Sequence, residues 1–216
     1  LLTLKTLKKM KKAFKFMAIA LVAGAMMTAC GDPNGNGNGN GNGNGNNDWP
    51  IEPVLLEENC DGNIPADWAN IDADNDGNAW VASASLGLEG ADGYCFLSKS
   101  YDNNFGVLYP DNYLVTPALK IADANYMVSW QCCGQDADYA HEYYEVHVGT
   151  VENGTFTSAG KIYSGYADTG KDQSAWLSKS ASLADYANQE LCIAFRHCNT
   201  SDEFYLDLDN IKVYHN

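Results

Sequence analysis

Beyond residue 50, apolar residues recur at every second position. In EYYEVHV, Tyr144, Val146 and Val148 fall on one side of an extended chain, and Tyr143, Glu145 and His147 on the other. ANYMVSWQC repeats the pattern with Tyr126, Val128, Trp130 and Cys132, and LCIAFRHC with Leu191, Ile193 and Phe195. EFYLDLDNIKVY sets Phe204, Leu206 and Leu208 against Glu203, Tyr205, Asp207 and Asp209, which places both aspartates on the non-core side. Strand side chains alternate between faces, so a period of two predicts half-buried strands of an antiparallel sheet. Further strands are expected over 54–59, 80–85, 94–100, 113–121, 155–163 and 175–181, divided by the turn signals ADNDGN, YPDN, ENGT and YADTGKD. SLADYANQ (182–189) reads as a short turn before the next strand. Many short strands with Gly, Asn and Asp turns predict an all-β fold, a jelly-roll β-sandwich of antiparallel strands.

The first 30 residues follow a different logic. Six lysines and no acid precede an apolar run from Phe16 to Met27, too short for a membrane span of ~20 residues. A basic start, a short apolar core and small residues before a cleavage point predict a secretory leader over 1–29. MTAC resembles a bacterial lipobox with Cys30 as the acceptor of a lipid, so an outer-membrane lipoprotein at the cell surface is expected. Residues 30–49 then carry NGNGNGNGNGNGNN. Asn-Gly is a hairpin signal only between alternating apolar runs, which are absent here. With no apolar area to bury, the repeat reads as a flexible tether spanning roughly 20 Å. The body is 50–216.

Removing the leader takes away six of the 13 basic residues and none of the 28 acidic ones, moving the formal charge from −15 to −21. That balance excludes nucleic acid as a partner, since a phosphate backbone needs a basic footprint. It favours Ca²⁺, a hard cation bound by oxygen. The sharpest candidate is DADNDGNAW. Asp72, Asp74 and Asp76 before Gly77 match the first half of an EF-hand loop, with Asn78 as a further oxygen donor. Position 12 is Ser83 instead of Glu, so the expectation is a calcium site on a β-loop, completed from elsewhere. A second metal candidate joins Glu58 and Asp61 to Asp209, because the first and last strands of a sandwich often pair.

Enzyme signals are weak. AHEYYEVH misses the H-E-x-x-H spacing, though His141, Tyr143, Glu145 and His147 would share one strand face and leave a zinc site open. FRHC sets a His beside a Cys, but in an exported chain Cys198 reads as bridged. Cys60, Cys95, Cys132, Cys133, Cys192 and Cys198 permit up to three disulfides, with 15 connectivities. Trp68, Trp80, Trp130 and Trp176 read as core. Tyr139, Tyr143 and Tyr144 are either buried or a surface for stacking sugars or contacting protein.

In order and spacing, NIPADWANIDADNDGNAW, YPDNYLVTPAL, WQCCGQDADYAHEYYEVHVGT, IAFRHCNTSD and FYLDLDNIKV resemble the cleaved adhesin domain of gingipain and haemagglutinin adhesin regions, of choice-of-anchor J type. The resemblance covers most of 54–214. It implies a calcium-binding jelly-roll without catalytic activity, with metal positions at Asp72, Asp74 and Asp76 and at Asp61 and Asp209. Asp61 stands where the family has Glu, Cys60 where it has Phe, and Asn210 where it has a second Asp. It also implies adhesion to a host protein or glycan as partner. The other class in view is a structural cell-envelope or pilus-associated subunit with no soluble ligand.

Overall fold

The computed structural model describes residues 49–84, 93–168 and 174–216; the leader, Cys30 and the Asn-Gly repeat lie outside them. Two antiparallel sheets face each other, the expected sandwich. One has the order β12 (Leu177–Ser182), β9 (Tyr126–Gly134), β14 (Tyr205–His215), β4 (Tyr94–Lys99), β3 (Val81–Ala84). β1 (Val54–Glu58) pairs with the far half of β14, so the first and last strands do meet. The other sheet has the order β11 (Thr155–Tyr166), β10 (Tyr143–Glu152), β13 (Gln189–His197), β7 (Asn112–Val115), β2 (Ala69–Asp72). β8 (Leu119–Ile121) also pairs with β13, and β5 (Tyr101–Asp102) with β6 (Gly106–Val107) forms a small separate ribbon. The SLADYANQ segment makes one 3-10 turn, Ala184–Tyr186.

Local chemistry explains where the strands stop. The single strand expected over 113–121 is two, because Pro117 has no amide to donate to a ladder. Thr116 spans the gap: its amide donates to the Ile193 carbonyl and its hydroxyl accepts the Ile193 amide, both at 2.9 Å. Asn153 and Gly154 turn the β10–β11 hairpin at φ 49° and 77°, the positive-φ pair that a tight hairpin demands. In β14 the alternation that ends at Leu208 resumes out of step at Ile211 and Val213. A register shift between Asp209 and Lys212, with Asn210 at φ 48°, resets the face so that all four apolar residues point inward.

The core fills from both sheets. Trp130 meets Tyr144, Tyr163 and Phe195 edge to face at 6.5, 5.2 and 5.6 Å between ring centres. Its indole N–H donates to the Tyr144 hydroxyl at 2.9 Å. Trp68 and Trp80 are buried as expected, while Trp176 is half-buried.

A polar chain runs through this apolar interior. His197 contacts the Ser98 hydroxyl through Nδ1 at 2.8 Å and the Glu142 carboxylate through Nε2 at 3.0 Å. Ser100 and Thr200 donate to Glu142 at 2.7 and 3.2 Å, and the Asn112 amide donates to Ser98 at 3.1 Å. His197, Glu142 and Ser98 are all fully buried. A second chain covers the outer face of the β10–β13 sheet. Glu145 accepts bonds from Tyr143 (3.1 Å), Lys161 (2.9 Å) and Arg196 (3.3 Å), and contacts His147 Nε2 at 2.9 Å.

The structure sharpens two expectations and corrects that of bridged cysteines. Asp207 and Asp209 do face away from the core, but they are buried there. Burial pushes the Asp207 carboxyl well above the usual range, with the Cys95 thiol beside it pulling the other way. The six cysteines are buried and unbridged, Cys198 included. Burial pushes the thiols of Cys132 and Cys133 up to about 11 and that of Cys198 to about 12, so they pack as small apolar groups. Tyr144 is core, not surface.

Two predictions follow from the polar chains. Glu142→Ala removes the acceptor shared by His197, Ser100 and Thr200, and orphaned buried groups cost about 1–3 kcal/mol each. It should lower unfolding stability by about 3 kcal/mol or more in urea, and Glu142→Gln by less. The Glu145 carboxyl is held down from 4.5 to about 2: burial opposes its ionisation, but the bonds from His147, Lys161 and Tyr143 outweigh it. A depressed folded-state pKa gives stability that is complete above the unfolded value and lost as pH falls through the folded one. Glu145→Gln should therefore be less stable at pH 7 and lose less than the native chain between about pH 4.5 and 2, read from thermal unfolding at each pH.

Candidate functional site

The acidic loop leaves β2 at Asp72 and returns toward Trp80. It is built by its own carboxylates. Asp72 accepts the amides of Asn75 (2.7 Å) and Gly77 (2.8 Å), and Asp74 and Asp76 accept those of Asp76 (3.0 Å) and Asn78 (2.7 Å). Asn75 at φ 60° and Gly77 at φ 86° supply the left-handed steps that curl the chain around these bonds. Carboxylate oxygens of Asp72, Asp74 and Asp76 lie within 4.8 Å of one another, the one such group of three or more His, Cys, Asp or Glu ligands among the described residues.

The donor set suits a hard cation. All three groups are oxygen donors, and an oxygen that accepts one amide keeps a second lone pair. Crowding sets the three apart: the Asp74 carboxyl is raised by burial and by Asp72 and Asp76 beside it, against the amides of Asp111 and Asp76. The Asp72 carboxyl, against its own partial desolvation, is lowered by the amides of Gly77 and Asn75 and by Asp74. Asn78 is tied in through both its main chain and its side chain. Its carbonyl accepts from Asn112 at 3.0 Å, and its side-chain amide turns to the Asp76 carbonyl at 3.4 Å.

The loop is fastened to the start of β7. Asp111 donates its amide to Asp74 at 2.6 Å and accepts the Ala73 amide at 2.9 Å. The Asp111 carboxylate takes both prongs of Arg196, at 2.7 and 2.9 Å, and Arg196 lies over the Tyr113 ring at 5.1 Å. Asp111, Asn112 and Arg196 therefore position the site, although the sequence marked YPDN only as a turn.

The second metal candidate is not assembled in the same way. Glu58 accepts the Cys60 amide at 2.8 Å, and Asp61 accepts from Asn59 at 3.1 Å. Burial, then the negative charges of Asp209 and Glu58, raise the Cys60 thiol, so those two carboxylates flank it. Glu58 and Asp61 line a cleft of about 460 Å³ in which Lys212 already pairs with Glu57 at 2.9 Å. Glu58, Asp61 and Asp209 do not converge as a group of three.

The histidines do not converge either. His141 stacks on Tyr166 and bonds Asp168, whereas both ring nitrogens of His147 are taken, by Ser158 and Glu145 at 2.9 Å each. His197 turns to Ser98 and Glu142, in a spot closed to solvent. Of the three tyrosines, Tyr143 is half-buried against Glu145, and Tyr139 is 53% exposed. Phe105 (75%) and Tyr109 (73%) are more exposed still, on the segment that leads into Asp111.

Residues 53–213 match the family model described as the Cleaved Adhesin Domain. Gingipain R1 of Porphyromonas gingivalis is 35% identical over 173 residues, covering 74% of this chain and 10% of that protein. Hemagglutinin A of the same species is 32% identical over 176 residues, 74% of this chain and 8% of that protein. The chain thus spans about a tenth of the length of the curated relatives it matches. The crystal structure of the K1 cleaved adhesin domain of Lys-gingipain from P. gingivalis W83 superposes with a TM-score of 0.64 at 34% identity, over 74% of this chain and 98% of that one. A xylan-binding CBM22 domain of Paenibacillus barcinonensis, at 11% identity and a TM-score of 0.50, shares the sandwich fold over 77% of this chain and 97% of its own. In sequence and fold alike, the chain belongs to the cleaved adhesin domain family.

Proposed function

We propose that this chain is a lipid-anchored, calcium-stabilised, non-catalytic adhesin module that presents one end of a rigid sandwich to a host protein or glycan. Phe105, Tyr109 and Tyr139 carry the reading. These large exposed aromatics stand on loops tied to the acidic loop through Asp111 and to the buried polar chain through Ser100. Exposed aromatics on braced loops are the usual anchors of recognition surfaces. Calcium on Asp72, Asp74 and Asp76 would neutralise three crowded carboxylates and fix the loop that holds Asp111. A lipid on Cys30 and the Asn-Gly tether would hold the module off the outer membrane at the cell surface. A non-catalytic role is supported by the burial of Ser98, His197 and Glu142, whose contacts alone suggest a catalytic chain but which no substrate reaches.

The metal part is tested by thermal unfolding in calcium and in chelator. An ion bound only by the native state at a hundred times its Kd adds about 2.7 kcal/mol, so the melting temperature should rise with free calcium. Asp74→Asn should weaken that response, and no shift in the native chain would remove calcium from the reading. The recognition part is tested on an array of glycans and host extracellular proteins, with calcium and with chelator. Capture of a few related ligands in calcium is expected; silence from folded protein in both buffers would turn the assignment toward a structural envelope subunit.

A further inference from the structure

A cleft of about 390 Å³ lies between the β5–β6 ribbon and two turns, and its lining has one sign of charge. Three aromatic residues line it, Tyr101, Tyr139 and Phe204, together with the acidic residues Asp136, Asp202 and Glu203. The walls are held by main chain. Ser100 donates to the Phe204 carbonyl at 3.0 Å, Asp202 to the Ser100 carbonyl at 3.2 Å, and Tyr139 to the Asp136 carbonyl at 3.1 Å. No lysine, arginine or histidine lines the space. Burial pushes the Glu203 carboxyl up, as do the charges of Glu142 and Asp168, while the amide and the imidazole charge of His141 behind it pull it down.

From this geometry we propose that the cleft receives a lysine or arginine side chain of a partner protein, its alkyl stem against Tyr139 and Phe204 and its charge among Asp136, Asp202 and Glu203. The inference rests on the recognition reading above and narrows its ligand to a protein with exposed basic residues. Two observations favour a cation over a neutral sugar. Sugar hydroxyls need donors as well as acceptors, and beyond the Tyr101 and Tyr139 hydroxyls this lining offers only the Asn103 amide as a side-chain donor. The chain also uses the same chemistry next door: Lys99 bonds Asp102 at 2.7 Å while its ammonium sits 5.6 Å from the centre of the Tyr205 ring, and Tyr205 stacks on Phe204 at 3.8 Å. An ammonium between a carboxylate and an aromatic face is therefore already stable at this corner.

The test is titration of the full chain with Nα-acetyl-lysine methylamide and Nα-acetyl-arginine methylamide, followed by the amide resonances of Asn103, Tyr139 and Glu203. Nα-acetyl-norleucine methylamide and free xylose serve as neutral controls. Saturable shifts with the two cationic probes alone, weakened by added salt, are expected. Tyr139→Ala should weaken them about tenfold, as should Asp202→Asn, with the rest of the spectrum unchanged. Asn tolerates the left-handed φ of 59° at position 202, so that variant keeps the turn. Equal binding of norleucine, shifts from xylose in place of the cations, or no shift at all would overturn the proposal. If the cationic probes fail while the array still captures ligands in calcium, the recognition reading stands and this cleft is not its site.

Discussion

Asp111 is the point on which the functional end of the sandwich depends. Its main chain pins the acidic loop on one side, and its carboxylate grips Arg196 on the other. Arg196 reaches on to Glu145, which gathers Lys161, His147 and Tyr143. The next residue, Asn112, joins the same loop to the interior: it donates to the Asn78 carbonyl and to Ser98, and so to His197 and Glu142. Two adjacent residues at the start of one short strand thus tie a surface loop to a network over one sheet and to another between the sheets. A half-satisfied polar network is costly in an apolar core. The loop therefore inherits the order of the core, and a cation bound there meets carboxylates already aimed.

The period of two made the sheets legible, because burying one face leaves a visible trace at every second residue. β9 alternates as its sequence does from Tyr126 to Gln131, and the apolar positions read in β10 and β13 are buried, although β13 is covered on both faces from Leu191 to Phe195. The trace fails where the backbone steps out of register. Nothing in LDLDNIKV announces that Asn210 takes a left-handed turn and returns Ile211 to the core, although Asn is among the few residues suited to it. It fails again where an outer face is covered. Alternation placed Asp207 away from the core, and only the three-dimensional packing shows that this side is closed as well.

Site residues divide in the same way. Asp72, Asp74 and Asp76 were legible because a loop motif compresses geometry into adjacent letters. Glu142, His197, Ser98 and Ser100 were not: their contacts join residues 42 to 99 positions apart, and no local pattern encodes a contact of that range. The choice left open for Tyr144 has a related cause. Its hydroxyl is satisfied by Trp130 from the facing sheet, and such a partner is visible only after the sheets are stacked.

Charge completes the argument. Seven lysines and arginines follow Cys30, and the six described ones are all engaged. Lys99, Lys161, Arg196 and Lys212 hold carboxylates, and Lys120 and Lys179 sit over the rings of Trp49 and Tyr163. The chain has thus spent its cations on shaping sheet faces and loop roots, where an ion pair also fixes geometry. The carboxylates of the acidic loop, and Asp136 and Glu203 of the aromatic cleft, accept main-chain amides instead, which orient a negative charge without cancelling it. A surplus of that kind, fixed in position and exposed, favours cations from outside, and the two places differ in the kind they suit. Bare converging oxygens suit a small divalent ion. Carboxylates spaced among aromatic faces suit a large, weakly hydrated cation on an apolar stem.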